Sequence, residues 1–197
     1  MRFAAEPPRP PDVIDAGPAL MRRWRVADLD ASCEAIYASI EHLRPWMPWV
    51  ADFSRAAQAE FLFGCDRDWE AGVGFNYAIL VEDAIAGSAG LVARIGAGGL
   101  EIGYWVHQAY IRRGVATACS AALVDQAFAL PGIDLVEIVH DELNVASGGI
   151  PRKLGFTELK RRAPLDHKPP AGTGIGVVWV MTRAQWSGTQ WSGAASG

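Results

Sequence analysis

The residues best suited to chemistry lie in one stretch, Tyr104-Trp105-Val106-His107-Gln108-Ala109-Tyr110-Ile111-Arg112-Arg113-Gly114-Val115-Ala116-Thr117. Glu101 to Val106 suit a strand. From Val115 onward, Val115, Ala118, Cys119, Ala122, Leu123 and Ala127 follow the spacing of a helix laid on a sheet. A helix start leaves backbone N–H groups without partners, and its dipole puts partial positive charge there. Gly114 lets a ligand approach the backbone, Ala116 keeps the first turn small, and Arg112 and Arg113 add two fixed cations. Strand, basic glycine turn and helix together make a seat for a phosphate-bearing ligand. The other reading of the same residues is an ordinary loop carrying two solvated arginines.

The elements that must position this junction follow from the rest of the chain. Met1 to Pro11 is rich in proline and reads as an extended lead-in. Ala19 to Val26 suits a strand and Leu29 to Leu43 a helix, after a cap at Ala27-Asp28. Two prolines and two tryptophans in Pro45-Trp46-Met47-Pro48-Trp49 then form a rigid aromatic loop, either a packing plug or the wall of a substrate cleft. Ser54 caps a second helix to about Trp69, with Ala57, Phe61, Leu62 and Cys65 turned inward. Phe75 to Glu82 and Ile85 to Ile95 read as a hairpin bent at Glu82-Asp83. Gly96 to Gly99 turns the chain into the strand before the junction, and Pro131-Gly132 stops the helix after it.

Ile133 to His140 is a strand whose apolar run suits burial on both faces. Beyond it, Asn144 or Ser147 can cap a short helix that Gly155 ends. Gly148-Gly149 and Pro151 conflict with a regular helix, so this segment is expected to start late, kink or unwind. Thr157 to Arg162 and Val177 to Thr182 are the last strands, separated by a Pro- and Gly-rich loop from Leu165 to Gly176. Gln185-Trp186-Ser187-Gly188 is repeated at Gln190-Trp191-Ser192-Gly193, and two copies do not make a repeat architecture. The order of elements predicts an α/β (α+β) fold, a mixed sheet flanked by helices.

The 197 residues suit one domain, read as a lead-in over 1–17, a globular domain over 18–186 and a flexible tail over 187–197. The net charge of −4 disfavours nucleic acid as a partner. Cys33, Cys65 and Cys119 are odd in number and form no CxxC pair, so neither a metal site nor a disulfide framework is expected. No apolar run reaches a membrane span. The expected setting is cytoplasmic, and the expected form a monomer or homodimer.

Three stretches carry a resemblance to the GNAT superfamily of acetyl-coenzyme A-dependent N-acetyltransferases. They are most similar to the branch of ribosomal-protein N-terminal acetyltransferases, the Rim type. One is His42-Leu43-Arg44-Pro45-Trp46-Met47-Pro48-Trp49. Another is Glu101-Ile102-Gly103-Tyr104-Trp105-Val106 leading to Arg113-Gly114-Val115-Ala116-Thr117. The third is Asn144-Val145-Ala146-Ser147 followed by Lys153-Leu154-Gly155-Phe156. The resemblance covers about residues 18 to 186.

It implies a mostly antiparallel sheet with a splayed parallel central pair, Glu101 to Gln108 beside Ile133 to His140. It implies acetyl-CoA as cosubstrate, with its diphosphate on Arg112, Arg113, Gly114, Val115, Ala116 and Thr117. The family's loop is usually written Q/R-x-x-G-x-G/A, and this chain departs from it at Ile111. Amides near Val106 or His107 would polarise the thioester carbonyl, and Asn144 would contact the pantetheine arm.

The acceptor would be a primary amine, on a small molecule or at the start of a peptide. A free α-amine, with pKa about 8, loses its proton near neutrality more readily than a lysine at about 10.4. By resemblance Glu101 is the first candidate base and Ser147 the hydroxyl beside the departing sulfur; His107 is a second candidate base. Many relatives place a tyrosine beside the sulfur, and no tyrosine is close to Ser147 in the sequence. His140 and Asp141 read as a solvated turn. The alternative to an enzyme is a CoA-binding sensor or interaction module that has kept the fold.

Overall fold

The computed structural model describes residues 8–165 and 168–188. The parts of the predicted lead-in and tail at 1–7 and 189–197, with the second Gln-Trp-Ser-Gly copy, lie outside the described residues.

Eight strands form one sheet: β1 (Val13–Asp15), β2 (Leu20–Arg23), β3 (Gly74–Val81), β4 (Ala84–Val92), β5 (Gly99–Val106), β6 (Leu135–Asp141), β7 (Thr157–Arg162) and β8 (Gly176–Thr182). Their order is β1-β2-β3-β4-β5-β6-β8-β7. Every pairing is antiparallel except β5 with β6. The predicted fold class holds. The first strand is shorter than the sequence suggested, because Val26–Asp28 already turns into a 3-10 helix. Val13–Asp15, inside the stretch read as a lead-in, is an edge strand on β2.

Four α-helices cover the sheet: α1 (Leu29–Leu43), α2 (Arg55–Ala71), α3 (Val115–Ala129) and α4 (Val145–Lys153). Among the described residues no helix is long and apolar enough to cross a membrane. At the start of α1 the Asp28 carboxylate holds both guanidinium nitrogens of Arg22 at 2.7 Å and the Arg25 N–H at 2.8 Å. In α2 the Ser54 hydroxyl accepts from the Ala57 N–H, and Gly72, at φ 71°, closes the other end in the left-handed region that glycine tolerates. The buried face of α2 is Gln58, Leu62, Cys65 and Trp69, while Ala57 and Phe61 are exposed. Leu62 and Cys65 face inward as predicted, and Ala57 and Phe61 do not; Gln58 is tolerated inside because its amide donates to the Ser32 hydroxyl at 3.1 Å.

The central helix α3 is buried along most of its length, on Val115, Cys119, Ala122 and Leu123 among others. It packs on Leu100, Ile102 and Val106 of β5 and on Val136 and Ile138 of β6, all in the main core. Side chains alternate across a strand, so Glu101, Gly103 and Trp105 of β5, and Glu137 and Val139 of β6, point to the opposite face. β6 is therefore buried by helices on one face only, and its other face fronts a cleft. Trp186, from the first Gln-Trp-Ser-Gly copy, docks on α3 through a 2.6 Å bond from its indole N–H to Asp125.

Candidate active site

The two parallel strands part company halfway along. β5 and β6 are paired from Gly99↔Leu135 to Ile102↔Ile138 and no further, although β5 continues to Val106 and β6 to Asp141. Beyond that last rung the facing edges have no ladder partner, which leaves a gap in the middle of the sheet. The His107 N–H donates to the Ala86 carbonyl of β4 at 2.8 Å. Antiparallel amides alternate between the two edges of a strand, so the amides of Val106 and Tyr104 point the other way, into the gap. The Val106 amide thus faces the gap, and the His107 amide is already bonded to Ala86.

The His107 side chain is also committed. Its Nδ1 accepts from the Ala109 N–H at 3.1 Å, capping a 3-10 turn. Burial, then the charge of His42, lowers its proton affinity below the usual range. A neutral imidazole with Nδ1 accepting carries its proton on Nε2 and has no lone pair left for a substrate.

At the far end of the gap, β5 runs through this turn to the start of α3. Gly114, at φ 77°, is the cap of α3 and brings no side chain onto the first-turn amides. The helical bonding starts with the Ala118 N–H donating to the Gly114 carbonyl at 2.9 Å. The amides of Val115, Ala116 and Thr117 precede it and have no carbonyl within the helix to reach. Arg112 adopts φ 63°, a left-handed conformation unusual for a side-chain-bearing residue. The Arg113 guanidinium lies 5.3 Å over the Tyr110 ring. Ile111, where the chain departs from the resembling motif, is extended and outward-facing, at 39% exposure.

On the α4 side of the gap, Asn144 caps the helix by accepting the Ser147 N–H at 3.1 Å. Of the expected late start, kink or unwinding, the helix shows neither the first nor the last: it starts at Val145 and runs through Pro151. Proline lacks an N–H, so the Ser147 carbonyl four residues earlier loses its helical partner. Tyr104 supplies a substitute. Its hydroxyl lies 3.3 Å from the Ser147 carbonyl and 3.0 Å from the Ser147 hydroxyl. A tyrosine is therefore beside Ser147 after all, delivered by β5 rather than by the local sequence. Burial pushes the Tyr104 phenol up to about 12, with the Ser147 bond acting in the opposite direction.

His140 and Asp141 are not a solvated turn. The indole N–H of Trp179 donates to His140 Nε2 at 2.9 Å, which requires the His140 proton on Nδ1, 2.7 Å from the Asp141 carbonyl. Burial lowers the proton affinity of this imidazole, with the backbone bond to Asp141 opposing. The Asp141 carboxylate, 3% exposed, accepts the amides of Leu143, Thr173 and Gly174. It ties the loop before β8 to the end of β6.

These residues line a cleft of about 630 Å³. Glu101 and Glu137 lie on its floor, Tyr104, Asn144 and Ser147 are reached through the gap, and Trp46, Pro48, Leu165 and Pro169 wall it. The aromatic loop and the loop after β7 are joined by a 3.0 Å bond from the Ala171 N–H to the Pro45 carbonyl. The structure therefore brings Glu101, Ser147 and Asn144 to one cleft and leaves His107 outside its lining. Sequence reasoning missed Tyr104 and Glu137. Strand alternation beside the predicted splay was the signal that could have found both. The thiols of Cys33, Cys65 and Cys119 are free and buried. Burial holds Cys65 and Cys119 up near about 12, unsuited to nucleophilic work.

A family model described as the acetyltransferase (GNAT) domain matches residues 19–157. Among solved structures, RimL, a ribosomal L7/L12 α-N-protein acetyltransferase in complex with coenzyme A, aligns with TM-score 0.80 at 16% identity over 88% of this chain and 99% of that one. The microcin C7 self-immunity acetyltransferase MccE, with acetyl-CoA and AMP, aligns with TM-score 0.79 at 15% identity over 87% and 97%. RimJ of Mycobacterium smegmatis, with CoA-disulfide, aligns with TM-score 0.78 at 20% identity over 90% and 88%. No curated protein sequence matches the chain.

Proposed function

The chain belongs to the GNAT acetyltransferase family, and from that premise we propose that it moves the acetyl group of acetyl-CoA to the α-amine at the start of a peptide or protein. Acetyl-CoA is the cosubstrate and the acceptor is an amine. The observation that carries the finer reading is the gap beyond Ile102 and Ile138. It joins the unpartnered start of α3 and the Tyr104–Ser147 pair to a walled, acidic-floored cleft on the other face.

In this reading the amides of Val115, Ala116 and Thr117, with Arg112 and Arg113, hold the diphosphate. The pantetheine arm lies in the gap like an added strand, bonded to the free edge of β5 and to Asn144. The Val106 amide polarises the thioester carbonyl. The amine enters from the carboxylate side and forms the N–C bond as the C–S bond breaks. Tyr104 holds the Ser147 hydroxyl, which passes a proton to the departing thiolate while taking up the second proton that the nitrogen gives up. The peptide preference is supported by the size of the cleft and by the aromatic path beside it. Trp105 meets Trp49 at 6.5 Å, Trp49 meets Phe53 at 6.0 Å and Phe53 meets Tyr37 at 5.1 Å, leading outward from the gap. The proposed domain spans 18–186, and the free buried thiols support a reducing, cytoplasmic setting.

Free-thiol release from acetyl-CoA tests this with hexapeptides bearing a free α-amine, the same peptides pre-acetylated, and polyamines. Turnover with the first set alone is expected. Turnover confined to polyamines would contradict the peptide reading.

A further inference from the structure

Two carboxylates sit side by side on the cleft floor, and they are not equivalent. Glu101 and Glu137 are register partners on the parallel pair, one rung before the strands separate. Both are nearly buried, at 5% and 9% exposure, and both line the cleft. Strand alternation places them on the face opposite Tyr104 and Ser147, which is where an amine must approach if the thioester lies in the gap.

Their partners differ. Glu101 is held in an ion pair by Arg94 from the turn before β5. That ion pair occupies the Glu101 carboxylate. Glu137 has no hydrogen-bonded donor among the described residues. Two cations of β7, Lys160 and Arg162, line the same cleft and act on it only through space. Resting on the acetyltransferase reading above, we propose that Glu137 takes the proton from the acceptor ammonium, and that Glu101, fixed by Arg94, is the positioning residue that keeps Glu137 basic.

The proton ledger closes. The ammonium loses one proton to Glu137, directly or through one water, before attack. The nitrogen loses its second proton as the C–S bond breaks, balancing the one that the sulfur gains. Glu137 then releases its proton to bulk water through the open cleft. The electrostatics agree with the geometry. Burial first, then the negative charge of Glu101, raises the proton affinity of Glu137 above the usual carboxylate range, against the pull of Arg162 and Lys160. That direction brings a carboxylate closer to the pH at which a base is most useful.

The test compares Glu137→Gln with Glu101→Gln in the full chain. It uses acetyl-CoA, the most active hexapeptide of the panel above, and CoA titration alongside. Glu137→Gln should lower kcat/KM by about 100-fold, with CoA affinity unchanged. It should remove the acid limb of the pH profile and leave only the rise set by the amine itself. Glu101→Gln should keep that limb and move it to lower pH, because a negative neighbour is lost. Carboxyl-carbon NMR of glutamate-labelled protein, which needs no acceptor, should show Glu137 titrating above an ordinary carboxylate and falling when Glu101 is replaced. An acid limb lost in Glu101→Gln but kept in Glu137→Gln would overturn the assignment, as would Glu137 titrating at or below the ordinary range. Failure of the wild type to bind CoA would instead overturn the reading beneath it.

Discussion

The Tyr104 hydroxyl of β5 lies 3.0 Å from the Ser147 hydroxyl of α4, across 43 positions of sequence. The phenol serves two purposes through two contacts. It gives a partner to the helix carbonyl that Pro151 leaves bare, and it orients the hydroxyl nearest the gap. The proline that looked incompatible with a helix is thus accommodated by the residue that holds Ser147 in place.

Replacing Tyr104 with Phe should therefore lower kcat by about 10-fold or more, with CoA affinity little changed. Because burial holds the phenol up to about 12, it stays protonated through the physiological range. The wild-type rate should show no alkaline decline below about pH 10 that Tyr104→Phe removes. Steady-state kinetics across pH, paired with calorimetric CoA titration, check both statements.

Gly148 is the second point of close fit. A Cβ there would come within 2.6 Å of His140 Nε2, and that ring is held by Trp179 and the Asp141 carbonyl. It cannot swing away without giving up a bond. Gly148→Ala should push α4 off β6, at a cost of about 1–3 kcal/mol, and carry Ser147 with it. Thermal denaturation should show the loss of stability and the thiol-release assay a matching loss of turnover; an unchanged Tm would show that the ring yields freely.

Asp28 should give the fold a specific acid sensitivity. Burial opposes its ionisation, but the Arg22 bond and the Arg25 amide outweigh that, so its pKa in the folded protein lies below the ordinary value. The sign follows from linkage. The unfolded chain takes up this proton first as pH falls, so the stabilisation is complete above the ordinary aspartate value, about 3.9, and drains away as pH drops through the lower folded value. Asp28→Asn should cost about 3 kcal/mol at pH 7 and flatten the dependence of stability on pH below about 4. Denaturant titrations at several pH values measure both.

The helices were readable where local chemistry decides them. The bounds of α1, Leu29–Leu43, follow from apolar spacing; Asp28 makes no capping bond to this helix and holds Arg22 and the Arg25 amide instead. Ser54 and Gly72 mark α2 almost to the residue. Leu62 and Cys65 of α2 were read correctly as inward, while Ala57 was read in place of Gln58, whose burial depends on a distant Ser32. The site was legible in its backbone parts, Gly114 to Thr117 and Asn144 to Ser147, because caps and turns are local. Its long-range parts were hidden. Tyr104 meets Ser147 only because β5 and α4 converge, and Glu137 was masked by the apolar residues flanking it. The direction of the His107 amide was hidden too, because it depends on register with β4, which sequence periodicity does not contain.

The central claim is that the edge of β5 beyond Ile102 and the start of α3 jointly hold acetyl-CoA. Amide chemical shifts of labelled protein titrated with CoA test it most directly. The account predicts the largest changes at Tyr104, Val106, Val115, Ala116 and Thr117, with the His107 amide, already bonded to Ala86, changing little. Saturable CoA binding that left those five amides undisturbed would contradict it.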